Sequence, residues 1–184
     1  MYYEMFKNIR NYFFRQSLNN LRKQPRSKQS PVSFEQAQSV GILFDATDLE
    51  TRNIVLEYAD QLRDSGKRVK RLGFFDSKLE DTNFTFKYFN LKNLDWAGRP
   101  GGELVQNFVQ QPFDWLLVLS TTTKPYFEYI STMSKATLRV GPVSENTFSY
   151  DIMIDTGSAD LQAFIKQMEL VLAKTNTRHE AAEI

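Results

Sequence analysis

The chain has 184 residues, of which 41% are hydrophobic and 24% charged, which suits one globular domain with a full core. It contains no cysteine, which excludes disulfides, thiolate nucleophiles and cysteine-ligated metal centres. Its one histidine, His179, lies in a polar C-terminal segment, and this disfavours a histidine metal site or a Ser–His–Asp triad.

The net charge of +1 conceals an asymmetry along the chain. Residues 1–30 contain seven basic residues and one acidic residue, a net charge of +6, whereas the rest of the chain carries −5. No apolar stretch approaches the length of a bilayer span, and the N-terminus lacks the features of a secretory signal. We therefore expect a cytoplasmic protein with a basic N-terminal arm.

Residues 1–24 are predicted to form a basic amphipathic helix with two apolar strips. The first strip consists of Tyr2, Met5, Phe6, Ile9, Tyr12 and Phe13. The second, rotated around the helix axis, consists of Phe14, Leu18 and Leu21. Between and beside these strips are the basic residues Lys7, Arg10, Arg15, Arg22 and Lys23. Pro25 is predicted to end the helix, and residues 25–38 are predicted to be a polar linker.

Three interpretations of this helix remain open. It can dock on its own domain or on a second copy of the chain, which would make a homodimer. It can lie on an anionic membrane surface. Nucleic acid is disfavoured as a partner, because the basic residues are spread around the helix and no other part of the chain is basic.

From Ser39 onward the pattern becomes α/β, and residues 39–175 are predicted to form a single domain. Strands are predicted at 40–44, 69–75, 84–88, 115–119, 137–140 and 150–154. Helices are predicted at about 47–64 and 103–110, from Pro125, and from Ser158, with Thr47 and Ser158 as N-caps. Residues 176–184 are predicted to be a polar tail.

The run Trp115–Leu119 predicts the layer structure of this domain. Its five consecutive apolar residues leave no polar face, which is typical of a strand covered on both sides in a parallel sheet. The sequence therefore predicts a three-layer α/β sandwich with a mostly parallel sheet of about five or six strands, either Rossmann-like or flavodoxin-like.

Three aspartates follow predicted strands, namely Asp45, Asp76 and Asp155. Ligands of open α/β sheets gather beyond the carboxyl ends of the strands, where clustered carboxylates can bind a divalent cation or act as acid and base. The alternative is that each aspartate ends a strand or caps the following helix.

A hydroxyl-rich run follows the central strand and includes Thr121, Thr122, Thr123 and Lys124. It can offer hydroxyls, helix-terminal amides and a cation to a phosphate or carboxylate, or it can cap the next helix. It is not a P-loop, because the glycines are missing. Gly41 is the only glycine near the first strand, which disfavours NAD or FAD binding at a glycine-rich turn. The cofactor stays unknown, and no catalytic or metal-ligating residue is assigned.

The segment 95–102 is predicted to be a tight surface loop. It contains Trp96 and Arg99 together with three glycines and a proline. Such a loop can present a ring and a cation to a partner. Alternatively, Trp96 fills an edge of the core and Arg99 pairs locally.

Several segments together resemble an uncharacterised bacterial family of short α/β proteins. They are the basic N-terminal helix, residues 41–45, residues 95–100 and residues 113–119. The resemblance covers nearly the whole chain, implies a single domain, and brings no activity or ligand.

Two functions of different kinds are compatible with these observations. The first is a binding module that its basic helix places on a protein partner or on the inner membrane face. The second is a small enzyme, or a nucleotide- or sugar-phosphate-binding domain, that uses the strand-end aspartates. Convergence of those aspartates on one pocket would favour the second function.

Overall fold

The computed structural model describes residues 2–23, 30–78, 84–155, 157 and 160–180. Six strands form one parallel sheet: β1 (Ser39–Asp45), β2 (Arg68–Phe75), β3 (Lys87–Asn90), β4 (Trp115–Leu119), β5 (Leu138–Pro142) and β6 (Ile152–Ile154). Five α-helices accompany it within these residues: α1 (Tyr2–Arg22), α2 (Leu49–Asp64), α3 (Glu103–Val109), α4 (Pro125–Met133) and α5 (Leu161–Glu180).

The strands are arranged in the order β3-β2-β1-β4-β5-β6, and every neighbouring pair is parallel. This is the order of the Rossmann fold, in which the chain moves outward in one direction from β1 and in the other from β4. The structure thus confirms the predicted α/β sandwich and selects the Rossmann-like order over the flavodoxin-like one.

Side chains of β1 and β4 alternate between two hydrophobic layers. Ile42 and Phe44 point toward α2 and α5, together with Leu117. Leu43 and Val118 point toward α3 and α4. Because all five residues of β4 are buried, both faces of the strand need a helical cover, as its sequence predicts.

Residues 30–38, which lie in the predicted linker, are attached to the amino end of the sheet. The indole nitrogen of Trp115 donates a hydrogen bond to the carbonyl oxygen of Val32 at 3.0 Å. The Lys67 ammonium donates to three carbonyl oxygens, those of Phe34, Glu35 and Ala37. This part of the segment therefore belongs to the α/β body.

Several predicted boundaries differ from the structure. The N-cap of α2 is Asp48, whose carboxylate accepts from the Thr51 amide at 2.7 Å, because Thr47 instead accepts from the Asp76 amide. The third strand begins at Lys87 rather than at residue 84, because the Phe86 ring turns inward over Gly73, where a Cβ would lie 2.7 Å from it.

The last two strands also differ from the prediction. The fifth strand continues through Gly141 and Pro142, which pair with the sixth, and the sixth begins at Ile152 rather than at residue 150. The helix α5 continues to Glu180, inside the predicted polar tail. Four predicted features lie outside the described residues: the helix end at Pro25, the cap at Ser158, the side chain of Tyr2 and residues 181–184.

Gly141 provides a test of this packing. A Cβ at Gly141 would lie 2.4 Å from the ring of Tyr150, which is buried. We expect Gly141→Ala to lower the free energy of unfolding by about 1–3 kcal/mol, measured by urea denaturation. Gly101→Ala is the control, since its Cβ would approach no atom closer than 4.0 Å. Equal stability of the two variants would contradict the packing described here.

Candidate functional site

Two of the three strand-end aspartates lie together, and the third does not. Asp45 ends β1, and Asp76 follows the neighbouring β2. Both carboxylates lie close enough to the Tyr126 hydroxyl to affect its pKa. Burial raises the pKa of Tyr126, and the negative charges of Asp45 and Asp76 raise it further. Asp155 follows β6, three strands away from β1, where its carboxylate accepts a hydrogen bond from the Gly157 amide at 3.0 Å.

Local contacts hold these two aspartates in their turns. The Asp45 carboxylate accepts from the Thr47 amide at 3.0 Å, and its other oxygen lies 3.4 Å from the Lys124 ammonium. The Asp76 amide donates to the Thr47 hydroxyl at 2.9 Å. Across the described part of the chain, no three Asp, Glu, His or Cys side chains are close enough to hold a metal ion together.

A cleft of about 360 Å³ opens between the carboxyl ends of β1 and β4. This is the position at which the strand order reverses, where Rossmann-like folds bind their ligands. Among its lining residues are Asp45, Thr121, Thr122, Lys124 and Asp160. The cleft therefore brings together part of the aspartate set and part of the hydroxyl-rich run.

The hydroxyl-rich run makes several of its hydrogen bonds to the backbone. The Ser120 hydroxyl donates to the carbonyl oxygen of Thr122 at 2.7 Å. The Thr123 hydroxyl donates to the carbonyl oxygen of Val143 at 2.7 Å, so it faces away from the cleft between β1 and β4. Lys124 occupies the N-cap position of α4 and makes no side-chain cap bond. Its ammonium is the cation that this run presents to the cleft.

The loop at 95–99 is closed by an ion pair in which two guanidinium nitrogens share one carboxylate oxygen. Asp95 Oδ2 lies 2.6 Å from both Nε and Nη2 of Arg99, and Asp95 Oδ1 accepts from the amides of Ala97 and Arg99. The Arg99 guanidinium also donates to the hydroxyl of Ser17 in α1 at 3.0 Å. The predicted local pairing of Arg99 is thus present, and it connects the loop to the N-terminal helix.

Trp96 does not fill an edge of the core. It is 63% exposed, and its ring packs edge-on against Phe13 of α1, with centroids 5.2 Å apart. The ion pair between Asp95 and Arg99 fixes the loop that carries this ring. The loop therefore presents Trp96 beside the N-terminal helix.

The helix α1 docks on the body through its second apolar strip. Phe14 and Leu18 are buried, and the Phe14 ring contacts the ring of Tyr129 in α4 with centroids 5.7 Å apart. At the end of the helix, the Arg22 guanidinium stacks over the ring of Phe148 at 5.4 Å. In this structure the helix therefore packs on its own domain.

The first apolar strip remains exposed. Phe6 is 65% and Tyr12 62% exposed, and Trp96 lies at the same surface. We refer to the exposed set as the aromatic face, which consists of Met5, Phe6, Ile9, Tyr12, Phe13 and Trp96. All five basic side chains singled out in the helix are also exposed, namely Lys7, Arg10, Arg15, Arg22 and Lys23. Few globular proteins leave a continuous aromatic surface of this kind without a partner.

Comparison with known families assigns the chain to one of them. Residues 10–174 match the model of a family of unknown function, DUF6913. The chain belongs to this family. The match confirms the resemblance to an uncharacterised family, and it includes the docked half of α1 but not residues 2–9. A search of the curated proteins and a search of the solved structures found no match for this DUF6913 protein.

The described part of this DUF6913 protein contains no helix that could span a membrane. None of the helices described there combines the length and the apolar character that a bilayer span requires.

This DUF6913 protein contains a buried carboxylate, that of Glu128, which the sequence does not predict. Glu128 is 3% exposed, accepts a hydrogen bond from the Ser144 hydroxyl, and accepts another from the Asn146 side-chain amide at 2.8 Å. Nothing near Glu128 in sequence signals this role, because its partners lie 16 and 18 residues further along the chain. The cluster fixes the loop after β5 against α4.

The ion pair of the loop gives a pH-dependent prediction. Burial by itself would raise the pKa of Asp95, but hydrogen bonds and charge from Arg99 hold that pKa below its ordinary value. Its stabilisation of the loop is therefore present above about pH 3.9 and lost as the pH falls through the lower, folded-state pKa. We expect the indole N–H resonance of Trp96 to shift with a midpoint below about pH 3.9, followed by NMR.

Two controls separate this loop transition from unfolding. The indole of Trp115 is buried in the body, so its resonance reports global unfolding. Asp95→Asn should abolish the Trp96 transition and leave Trp115 unchanged at neutral pH. A Trp96 midpoint at or above the ordinary aspartate pKa, or one that Asp95→Asn does not affect, would contradict the role of the ion pair.

Proposed function

We propose that this DUF6913 protein is an α/β binding module that attaches to an anionic membrane surface, the inner membrane face, through α1. The observation that carries the proposal is the aromatic face, which stays exposed while the opposite strip of the same helix is buried. A surface helix with aromatic and aliphatic residues on one side and Lys or Arg elsewhere is the usual form of an interfacial membrane anchor.

Charge favours an anionic occupant of the aromatic face. Residues 1–30 carry +6 and the rest of the chain carries −5, so an anionic surface attracts the arm and repels the body. Lys7 and Lys23 are exposed basic residues of the arm, and long basic side chains of this kind can reach lipid phosphates. Each basic residue near such a surface contributes about 1 kcal/mol at moderate ionic strength.

The chemistry of the aromatic face supports the same occupant. Trp and Tyr are enriched at membrane–water interfaces, because each combines an apolar ring with a hydrogen-bonding group. Trp96 extends the helical strip sideways, and its ring contacts Phe13. A second copy of the chain is a weaker candidate, since a dimer through this face would bring two arms of +6 together.

Flotation with liposomes tests the proposal. The full chain should float with vesicles of phosphatidylcholine and phosphatidylserine at low salt, and much less with phosphatidylcholine alone. Phe6→Ser/Tyr12→Ser should weaken partitioning by about 100-fold, since the two lost rings together remove roughly 3 kcal/mol of apolar transfer. Lys7→Gln/Lys23→Gln should weaken it by about 30-fold, corresponding to roughly 2 kcal/mol. Point variants are preferable to truncation, because Phe14 and Leu18 belong to the core.

The matched control removes two exposed apolar side chains elsewhere. Leu49 in α2 and Leu170 in α5 are 62% and 52% exposed, so Leu49→Ser/Leu170→Ser should float like the parent chain. Equal losses in this control and in the Phe6/Tyr12 variant would overturn the proposal. So would a full chain that fails to float and instead forms a dimer that Phe6→Ser/Tyr12→Ser dissociates.

A second candidate function is supported by the strand order. The cleft between β1 and β4 occupies the ligand position of Rossmann-like folds. Lys124 supplies a cation there, in a lining that also holds the carboxylates of Asp45, Asp48, Glu50 and Asp160. We infer from this a nucleotide- or sugar-phosphate-binding role, with the phosphate on Lys124. Its pairing with Asp45 is long enough, at 3.4 Å, for a phosphate to compete.

Calorimetric titration with ADP and with ribose 5-phosphate tests this second function. Binding of either ligand should weaken about tenfold or more in Lys124→Met, because a charged hydrogen bond to phosphate contributes roughly 1.5–3 kcal/mol. Lys166→Met is the control, since Lys166 is exposed on α5. Failure of both ligands to bind, or an equal loss in the control, would rule out this candidate.

A further inference from the structure

A second cleft lies beside the docked helix α1 and is lined by residues of both the helix and the body. It has a volume of about 730 Å³, within the range of sites for small molecules. Phe14 and Leu18 of α1 form part of one wall, and Ala97 of the loop forms another. The floor is built by segments that follow β4 and β5, including Thr123 and Val143. The cleft therefore lies at the carboxyl edge of the parallel sheet, where folds of this class bind ligands.

Two guanidinium groups line this cleft. Arg10 and Arg15 both project from α1 into its lining. Within the described part of the chain, neither guanidinium has an ion-pair or hydrogen-bond partner. A guanidinium presents a planar set of donors that matches phosphate and carboxylate oxygens, and two of them facing one cavity favour an anion.

The acidic residues of the cleft do not cancel this preference. Glu128 is buried, and its two oxygens already accept hydrogen bonds from Ser144 and Asn146. Glu145 lines the same cleft and is exposed to solvent, as both arginines are, but among the described residues it forms no ion pair with either of them. The two arginines are thus the charged groups in the lining whose donors remain available to a ligand.

We propose that this cleft binds a small organic anion, with its phosphate or carboxylate group on Arg10 and Arg15. The apolar part of the ligand packs against exposed apolar residues of the cleft lining, Pro125 and Val143. This site lies on the docked side of α1, whereas membrane attachment uses the outward-facing side of the same helix. It is also distinct from the cleft between β1 and β4, whose cation is Lys124.

Isothermal titration with two matched probes tests this site on the full chain. 1-Naphthyl phosphate combines an apolar ring system with an anionic group, and 1-naphthol lacks the anion. We expect the phosphate to bind with a stoichiometry of about one, and at least about tenfold more tightly than the naphthol, since charged hydrogen bonds contribute roughly 1.5–3 kcal/mol. Arg10→Gln/Arg15→Gln should weaken phosphate binding by about tenfold or more.

Two further variants make the outcome specific to this cleft. Lys7→Gln/Lys23→Gln removes the same charge from α1 without touching the cleft lining, and should leave the affinity unchanged. Val143→Trp should abolish binding by filling the cleft, and Val143 is 53% exposed, so the fold tolerates the larger ring. Circular dichroism establishes that each variant is folded.

Three results would overturn the anion site. They are no binding of 1-naphthyl phosphate to the full chain, equal affinity for the naphthol, or an equal loss in the Lys7/Lys23 variant. These results leave the flotation experiment untouched, because that experiment depends on the aromatic face and on the total charge of the arm. A chain that floats but binds no naphthyl phosphate would support membrane attachment alone.

Discussion

The pairing of β1 with β4 is the constraint on which the rest of the structure depends. Both strands are buried on both faces, so helices must cover the sheet on each side. From this central pair the chain proceeds through β2 and β3 in one direction and through β5 and β6 in the other. The carboxyl edge is consequently open at the pair, and the connecting loops there form the cleft between β1 and β4.

The helix α1 gives this common fold its individual character. The other helices already cover both faces of the sheet without α1, since α3 and α4 cover the face on which it docks. Burying Phe14 and Leu18 attaches α1 to that cover and leaves Phe6 and Tyr12 in solvent. Large exposed rings lower the solubility of a protein. We therefore expect the exposed rings of α1 to serve a function.

Much of the fold could be predicted from the sequence, because apolar runs and helical periodicity are local signals. The strand Trp115–Leu119 has the bounds that its composition predicts. The orientation of α1 could not be predicted, because both of its strips are apolar and the choice between them is made by distant partners. Arg99, which bonds Ser17 across 82 positions of the chain, is one of these partners. The burial of Glu128 depends in the same way on a loop that precedes β6.

The two proposed sites on α1 would act on one helix from opposite sides. A ligand held between Arg10 and the floor of the cleft stabilises the docked position of α1, and the same docked position places Phe13 beside Trp96. A membrane that prefers the completed aromatic face would therefore also favour ligand binding. By thermodynamic linkage the effect is reciprocal, so the ligand would strengthen membrane binding by the same factor. Such coupling requires no change in the α/β body. It acts only through the contacts that α1 makes with the loop at 95–99 and with the carboxyl edge of the sheet.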